Sequence, residues 1–295
     1  MSTLVLAEPE GVGVRGKPVA VVALLAIAGA FLVVAVTKPF SGSLELPRIG
    51  PACVVRADGK VTLDSVQMAN AATITAVGLR RKLPERAVVI ALATALQESK
   101  LENLGHGDRD SVGLFQQRPS QGWGTPDQIR DPRYAANKFY SSLKKVKGWQ
   151  DMRVTEAAQR VQRSAYPNAY EKWSDESEVL ARALTGRVTR AVECTIRGEP
   201  ALRGAAAAAE LAETLRLDWG KGLDSTAQRL GLTVSVSDAH AGWRYAHWLV
   251  SHASSTGLER VRFAGLQWQA TDGKWQPVTD QGSVSDRRVV AEVFS

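Results

Sequence analysis

Cysteine is almost missing from this chain: 295 residues contain two, Cys53 and Cys194. There is no Cys-x-x-Cys pair and no Cys/His cluster, which excludes zinc held through cysteine. Histidine is scarce as well, with four residues. His240, His247 and His252 are seven and five positions apart with no acidic residue between them, unlike the same-face pair of a His-Glu-x-x-His helix, so no metal is expected. Also missing are a zinc-finger pattern, an RNA-recognition signature and any dense basic run with interleaved aromatics. Nucleic acid is therefore not an expected partner. No internal repeat is present, and no cofactor motif appears. Carboxylates are outnumbered, 30 Asp and Glu against 37 Lys and Arg, for a net charge of +7. Such a balance favours anionic partners such as wall polymers or lipid headgroups, although a plain basic surface has the same sum.

What is present begins with a long apolar run. Pro18 to Val36 (PVAVVALLAIAGAFLVVAV) carries no charge over nineteen residues. As a helix it spans ~28 Å, against a hydrocarbon core of ~30 Å. Ala26-Ile27-Ala28 and Ala28-Gly29-Ala30 resemble signal-peptide cleavage sites, but the run continues past them through Phe31 to Val34, which suits an uncleaved anchor. Residues 1–17 are then a short cytoplasmic tail, 18–36 the transmembrane anchor and 37–51 (TKPFSGSLELPRIGP) a stalk rich in Pro, Gly and Ser. The carboxyl-terminal portion lies outside the cell membrane in this reading. There, two cysteines flanking one domain are expected to pair, the alternative being two unrelated buried thiols.

Helical spacing marks Asp64 to Arg81. A second helix starts at Leu83-Pro84-Glu85, with Pro at its first turn, and runs through AVVIALATALQES. It is apolar nearly all round and so is expected to be buried. Asp131–Lys147, Thr155–Tyr166 and Asp175–Val192 follow as helices, so residues 52–196 read as an α domain. Residues 197–228 read as an Ala-rich helical linker. In 229–295 the pattern changes to strands at Leu232–Val236, Arg260–Phe263, Leu266–Gln269 and Val289–Phe294, with a helix at Trp243–Ala253 and a turn at Asp272-Gly273. These describe a small α/β domain.

The second helix ends on Glu98-Ser99 and runs into a loop dense in glycine and amides, with Asn103 and Gly105 as stop signals. A glycosidic bond is cleaved with the help of a carboxylic acid kept protonated by apolar surroundings, and Glu98 leaves the apolar face of such a helix. From position alone, a solvated helix-end charge is the commoner case. Gly113-Leu114-Phe115-Gln116-Gln117-Arg118-Pro119 follows, where backbone at Gly113 is able to approach a flat ligand and the Gln116 amide is able to meet an N-acetyl group.

Glu98-Ser99 followed by Asp110-Ser111-x-Gly113-Leu114-Phe115-Gln116 and Pro119 resembles the lysozyme-like superfamily, in particular the soluble lytic transglycosylase pattern of Glu-Ser, Gly-Leu-Met-Gln and proline. Ala165-Tyr166-Pro167-Asn168-Ala169-Tyr170 is loosely similar to that family's third motif, Ala-Tyr-Asn-Ala-Gly. The wording ALQESKLxNL…DRDSxGLFQQRPSQGWGT is similar to membrane-anchored proteins of high-GC Gram-positive bacteria. The resemblance covers about Cys53 to Cys194. It implies a mainly α lysozyme-like domain acting on peptidoglycan, with Glu98 as acid/base and Ser99, Gly113, Phe115, Gln116, Gln117 and Tyr166 at the sugar groove. Phe115 replaces the family's methionine, and Pro167 interrupts the third motif.

A hydrolase needs a second carboxylate ~5–9.5 Å from the first, for which Asp108 and Asp110 are the candidates. A lytic transglycosylase of this resemblance needs only one. The expectation is a peptidoglycan-cleaving enzyme, transglycosylase or muramidase. The alternative is a non-catalytic wall-binding or scaffolding ectodomain.

Overall fold

Asp64 is where strand turns into helix, and its carboxylate makes the switch. The computed structural model describes residues 52–164, 166, 168–278 and 286–295. Asp64 Oδ1 accepts from the backbone N–H of Val66 and Gln67 at 2.9 and 2.8 Å, while Gln67 Oε1 accepts from Asp64 N at 3.0 Å. This reciprocal cap satisfies donors that the first helical turn leaves open. Before it, β1 (Ala52–Arg56) and β2 (Lys60–Asp64) form a hairpin, and β3 (Val192–Thr195) closes on the other edge of β1, all antiparallel. Cys53 stands opposite Cys194 in that register, and the two are joined as a disulfide with S–S 2.04 Å.

From the cap run α1 (Ser65–Arg80) and α2 (Glu85–Ser99). Every residue of α2 from Ala87 to Leu96 is buried, which follows from its lack of a polar face. The shorter α3 (Pro126–Ile129) packs on α4 (Pro132–Leu143), and α4, α5 (Val154–Gln162) and α6 (Ser174–Leu184) pack around α2. Gly78 permits the closest approach of α1 and α4: a Cβ there would lie 2.7 Å from the hydroxyl of Tyr140, which donates to Ile74 O at 3.0 Å.

The remainder comprises α7 (Gly204–Trp219), β4 (Ser225–Gln228), β5 (Gly231–Ser235), α8 (Ala239–Ser251), α9 (Ala253–Thr256), β6 (Leu258–Phe263), β7 (Leu266–Gln269), β8 (Trp275–Pro277) and β9 (Arg288–Val293). Its six strands make one antiparallel sheet in the order β4-β5-β9-β6-β7-β8. The alanine-rich α7 buries Ala207, Ala208, Leu211, Leu215 and Trp219. It packs on α1 on one side and on β5 on the other.

A mainly α chain is thereby corrected. Nine α-helices accompany nine strands among the described residues, and the larger sheet has six antiparallel strands. The strands that escape a sequence reading are short. β1 (ACVVR) and β3 (VECT) are four or five residues long, and their partners lie far away in the chain, so period-two alternation has too little length to register. β4 is exposed at all four positions and β8 has three residues. The expected membrane anchor, 18–36, lies outside the described residues, as do the tail and the stalk. Among the described residues no helix is long and apolar enough to cross a membrane.

A buried polar cluster ties the sheet-bearing part to the helices around α2. Asp218, at the end of α7, is fully buried, and its carboxylate accepts from Arg133 Nε at 2.7 Å, Thr73 Oγ1 at 3.0 Å and Trp248 Nε1 at 2.8 Å. The His252 imidazole lies 3.6 Å from it, and burial holds that ring below its usual pKa in spite of the adjacent carboxylate. Two further hydrogen bonds add to this: backbone Ile196 N donates to Ala270 O at 2.8 Å, and the Trp275 indole Nε1 to Val192 O at 2.9 Å. The turn glycine Gly273, at φ +71°, sits where a Cβ would be 2.4 Å from Thr195 Oγ1.

Candidate functional site

The helix that carries Glu98 is stopped by strain. Lys100 and Leu101 both take left-handed backbone, at φ +57° and +64°, one residue after Ser99. For residues other than glycine this costs on the order of 1–3 kcal/mol each. The corner is held in place from several sides. Lys100 N and Leu101 N donate back to Leu96 O and Ala95 O. From α1, Gln67 Nε2 donates to Lys100 O at 2.9 Å and Asn70 Nδ2 to Leu101 O at 2.8 Å. The Leu101 side chain is fully buried, and the Lys100 ammonium lies 3.6 Å over the Trp173 ring. The stop therefore comes earlier than Asn103 or Gly105 and uses neither.

The glycine- and amide-rich loop is a closed tongue. Val112 and Gln117 pair across it through two backbone hydrogen bonds of 3.0 and 3.1 Å. Gly113 turns the chain at φ +78°, where a Cβ would sit 2.7 Å from Ile129 O, so the position demands glycine on both backbone and space. Ser99 fastens the tongue to the helix: its hydroxyl lies 2.8 Å from Leu114 O and 3.1 Å from Ala95 O. Phe115 is fully buried and stacks on Phe139 with centroids 4.7 Å apart. Its side chain belongs to the core, and only its carbonyl faces the site. Gln116 is half-buried at φ +45°, with Nε2 donating to its own tongue at Gly113 O. Gln117 is buried and donates to Ala135 O. Tyr166 is 75% exposed and meets none of the Glu98 contacts.

Two residues that sequence reasoning missed meet Glu98 instead. The Tyr170 hydroxyl donates to Glu98 Oε1 at 2.7 Å, and Gln162 Nε2 donates to the same oxygen at 3.1 Å. The second hydrogen of the Gln162 amide goes to Phe115 O at 2.7 Å, so its orientation is fixed by helix and tongue together. Burial, then the charge of Glu98 and the bond to it, holds the Tyr170 phenol well above the usual tyrosine range. It is a hydrogen-bond donor throughout the physiological range. Oε2 of Glu98 accepts from none of the described residues. A proton carried by this carboxyl would therefore sit on Oε2, away from the two fixed donors.

Gln162 also forms part of the wall of an open cleft of about 940 Å³. Gln121, Gly122 and Trp123, at the end of the motif-bearing loop, line it too, with Tyr134 of α4. Tyr134 donates to Trp123 O at 3.2 Å and occupies the space a Cβ on Gly124 would need. Glu98 is thus one hydrogen bond from a cleft wall built by the same loop that carries the motif.

The second-carboxylate candidates share no hydrogen bond with Glu98 among the described residues. Asp110 accepts from Arg118 Nε at 2.7 Å, Ser120 N at 2.7 Å and Ser120 Oγ at 3.0 Å. The Ser120 backbone, then the Arg118 guanidinium and the Ser120 hydroxyl, holds its carboxyl far below the usual range. It staples a loop and stays ionised. Asp108 is exposed on the surface. Among the described residues no group of His, Cys, Asp and Glu is arranged to hold a metal ion.

Nothing in the sequence distinguishes Tyr170 from Tyr166 in AYPNAY, since only the path of the chain decides which phenol turns inward. Gln162 carries no motif at all. No family model matches this chain, and no curated protein matches it.

Proposed function

We propose that the protein cleaves peptidoglycan glycan strands outside the cytoplasm, as a lytic transglycosylase with Glu98 as its single acid/base. The observation that carries the reading is the fixed pose of Glu98. Two donors hold Oε1, Oε2 is left to exchange a proton, and one of the donors, Gln162, also lines an open cleft of about 940 Å³. The resemblance of Glu98-Ser99 and Gly113-Leu114-Phe115-Gln116 to the transglycosylase pattern supports it. The Cys53–Cys194 bridge supports an oxidising compartment.

In the reaction, Oε2–H of Glu98 protonates the oxygen leaving the muramyl anomeric carbon as that glycosidic bond breaks. The resulting carboxylate then takes the proton of the muramyl sugar's own primary hydroxyl while that oxygen bonds the anomeric carbon. The product is an anhydro sugar, the carboxylic acid is regenerated, and no water is consumed. Tyr170 and Gln162 hold the carboxyl in one orientation across both proton transfers. An intramolecular nucleophile suits a site where Asp110 is committed to Arg118 and Ser120, because the hydrolytic routes draw on a second carboxylate.

The test is digestion of Gram-positive peptidoglycan by the purified full-length chain, with mass spectrometry of released muropeptides and Glu98→Gln in parallel. Anhydro-muropeptides from the wild type alone are expected. Equal release by Glu98→Gln would remove Glu98 from the chemistry. Reducing-end products would replace the internal hydroxyl by water. Glycan binding without any product would make the protein a wall-binding module.

A further inference from the structure

The cleft beside Glu98 has charge of one sign. Arg81, Lys138, Lys145, Arg160 and Arg163 line it, and no Asp or Glu does. Within the described residues only Arg160 has a carboxylate partner, Glu156 at 3.7 Å on the same helix. Arg81 is braced by neutral groups: its guanidinium donates to Asn137 Oδ1 at 2.9 Å and to Ser141 Oγ at 3.0 Å. Its Nε is buried without a partner, so this cation is held in place and left uncompensated by protein charge. Lys138 lies 5.3 Å over the Tyr134 ring, and Lys145 and Arg163 are exposed at the cleft margin.

A glycan strand whose muramyl carboxyls are all in amide linkage to stems is neutral along its sugars, and such a chain does not account for this lining. Five cations around one concavity repel one another, and that cost is relieved when an anion enters. Neutral glycan subsites are commonly built from aromatic faces and amides, and Trp123, Tyr134, Gln121 and Gln162 already supply those here.

We propose that this cleft binds the carboxylates of peptide stems on the glycan strand, so that strands carrying free, unamidated stems are taken in preference to amidated ones. This rests on the reading of the site as a glycan-cleaving centre and adds the chemistry by which it chooses its strands. Arg81, clamped at the cleft wall by Asn137 and Ser141, supplies fixed positive charge there. Lys145 and Arg163 add charge at the margin, where it screens readily with salt.

The experiment measures binding apart from turnover. Full-length Glu98→Gln protein is titrated with three soluble probes: stem-bearing glycan oligomers, the same oligomers with amidated stems, and polyglycerol phosphate. Free stems are expected to bind more tightly than amidated ones, with a difference that shrinks as salt rises. Lys145→Gln combined with Arg163→Gln, both exposed and outside the core, is expected to weaken free-stem binding about three- to tenfold. It is expected to leave amidated-stem binding little changed. Equal binding of free and amidated stems would overturn the proposal. So would tighter binding of the phosphate polymer that alone responds to the double variant, which would assign the cleft to a phosphodiester. Wall digestion by the wild type with no stem preference would leave the proposed activity standing and remove this inference. Free-stem preference without any digestion would do the reverse.

Discussion

Tyr170 and Glu98 are 72 residues apart in the chain and 2.7 Å apart in the structure, phenol oxygen to carboxylate oxygen. The contact joins the segment after α5 to the last turn of α2. With Gln162, it gives the carboxyl one pose. A hydrogen bond to a charged partner is worth about 1.5–3 kcal/mol. Tyr170→Phe is therefore expected to lower kcat on peptidoglycan about tenfold to a hundredfold, with KM little moved. Muropeptide release against time measures it. Undiminished turnover would mean the phenol has no part in orienting the acid.

Asp110 gives a separate handle on mechanism. Asp110→Asn keeps one oxygen able to accept from Ser120 N and loses the charge facing Arg118. A loop staple of this kind predicts partial activity and an unchanged anhydro product. Abolished activity in a folded variant would instead make Asp110 the base of a hydrolase. Circular dichroism with product mass spectrometry separates these outcomes.

The Cys53–Cys194 bridge encloses nearly half the chain, its ends 141 positions apart. Loop-closure entropy sets its worth at up to about 4–5 kcal/mol. Reduction, or Cys53→Ala with Cys194→Ala, is expected to lower the free energy of unfolding by about 2–5 kcal/mol, read as a lower denaturant midpoint. Thiol labelling of the native, unreduced protein is expected to find neither cysteine free.

His247 sets an acid limit on stability. The ring is fully buried, Nδ1 faces Ala183 O at 2.8 Å, and Ala191 N donates to Nε2 at 3.0 Å. Burial lowers its pKa from 6.5 to about 4, and the Ala183 carbonyl offsets only part of that. Between these values the unfolded chain binds the proton and the folded chain does not. This contribution is therefore whole above about pH 6.5 and falls as pH drops toward 4, by up to about 3 kcal/mol. Urea unfolding at stepped pH should show that slope, and His247→Gln should flatten it.

Asp218 is the remaining test, because its buried carboxylate joins Arg133, Thr73 and Trp248 from three helices. Asp218→Ala leaves the Arg133 guanidinium without its partner and is expected to cost about 3–5 kcal/mol. Asp218→Asn, which keeps an acceptor, is expected to cost less. Tryptophan-detected unfolding measures both, and a negligible loss in Asp218→Ala would show the cluster to be dispensable.

Much of the local structure is legible in the chain. The α2 helix is written in Pro84-Glu85 and the apolar run behind it, and its observed bounds are Glu85–Ser99. The strands expected at 232–236, 260–263, 266–269 and 289–294 all have observed counterparts; the first three are punctuated by Gly231, Gly257, Gly265 and Gly273, which mark where each begins or ends. The helix end is a different matter. Lys100 and Leu101 are poor residues for left-handed backbone, and they adopt it only because Gln67, Asn70 and a buried leucine side chain make the corner worth its strain.

The sequence by itself determined the acid on a buried helix, the glycine-bearing tongue after it, the two cysteines able to bridge and the basic excess. These depend on residue type and short-range spacing, which a chain carries without folding. Only the tertiary structure decided that Tyr170 rather than Tyr166 turns toward Glu98, that Gln162 links helix and tongue, that Phe115 is core, and that five cations share one cleft. Each of those is a meeting of residues distant in the chain, and such meetings follow from how helices and sheets pack.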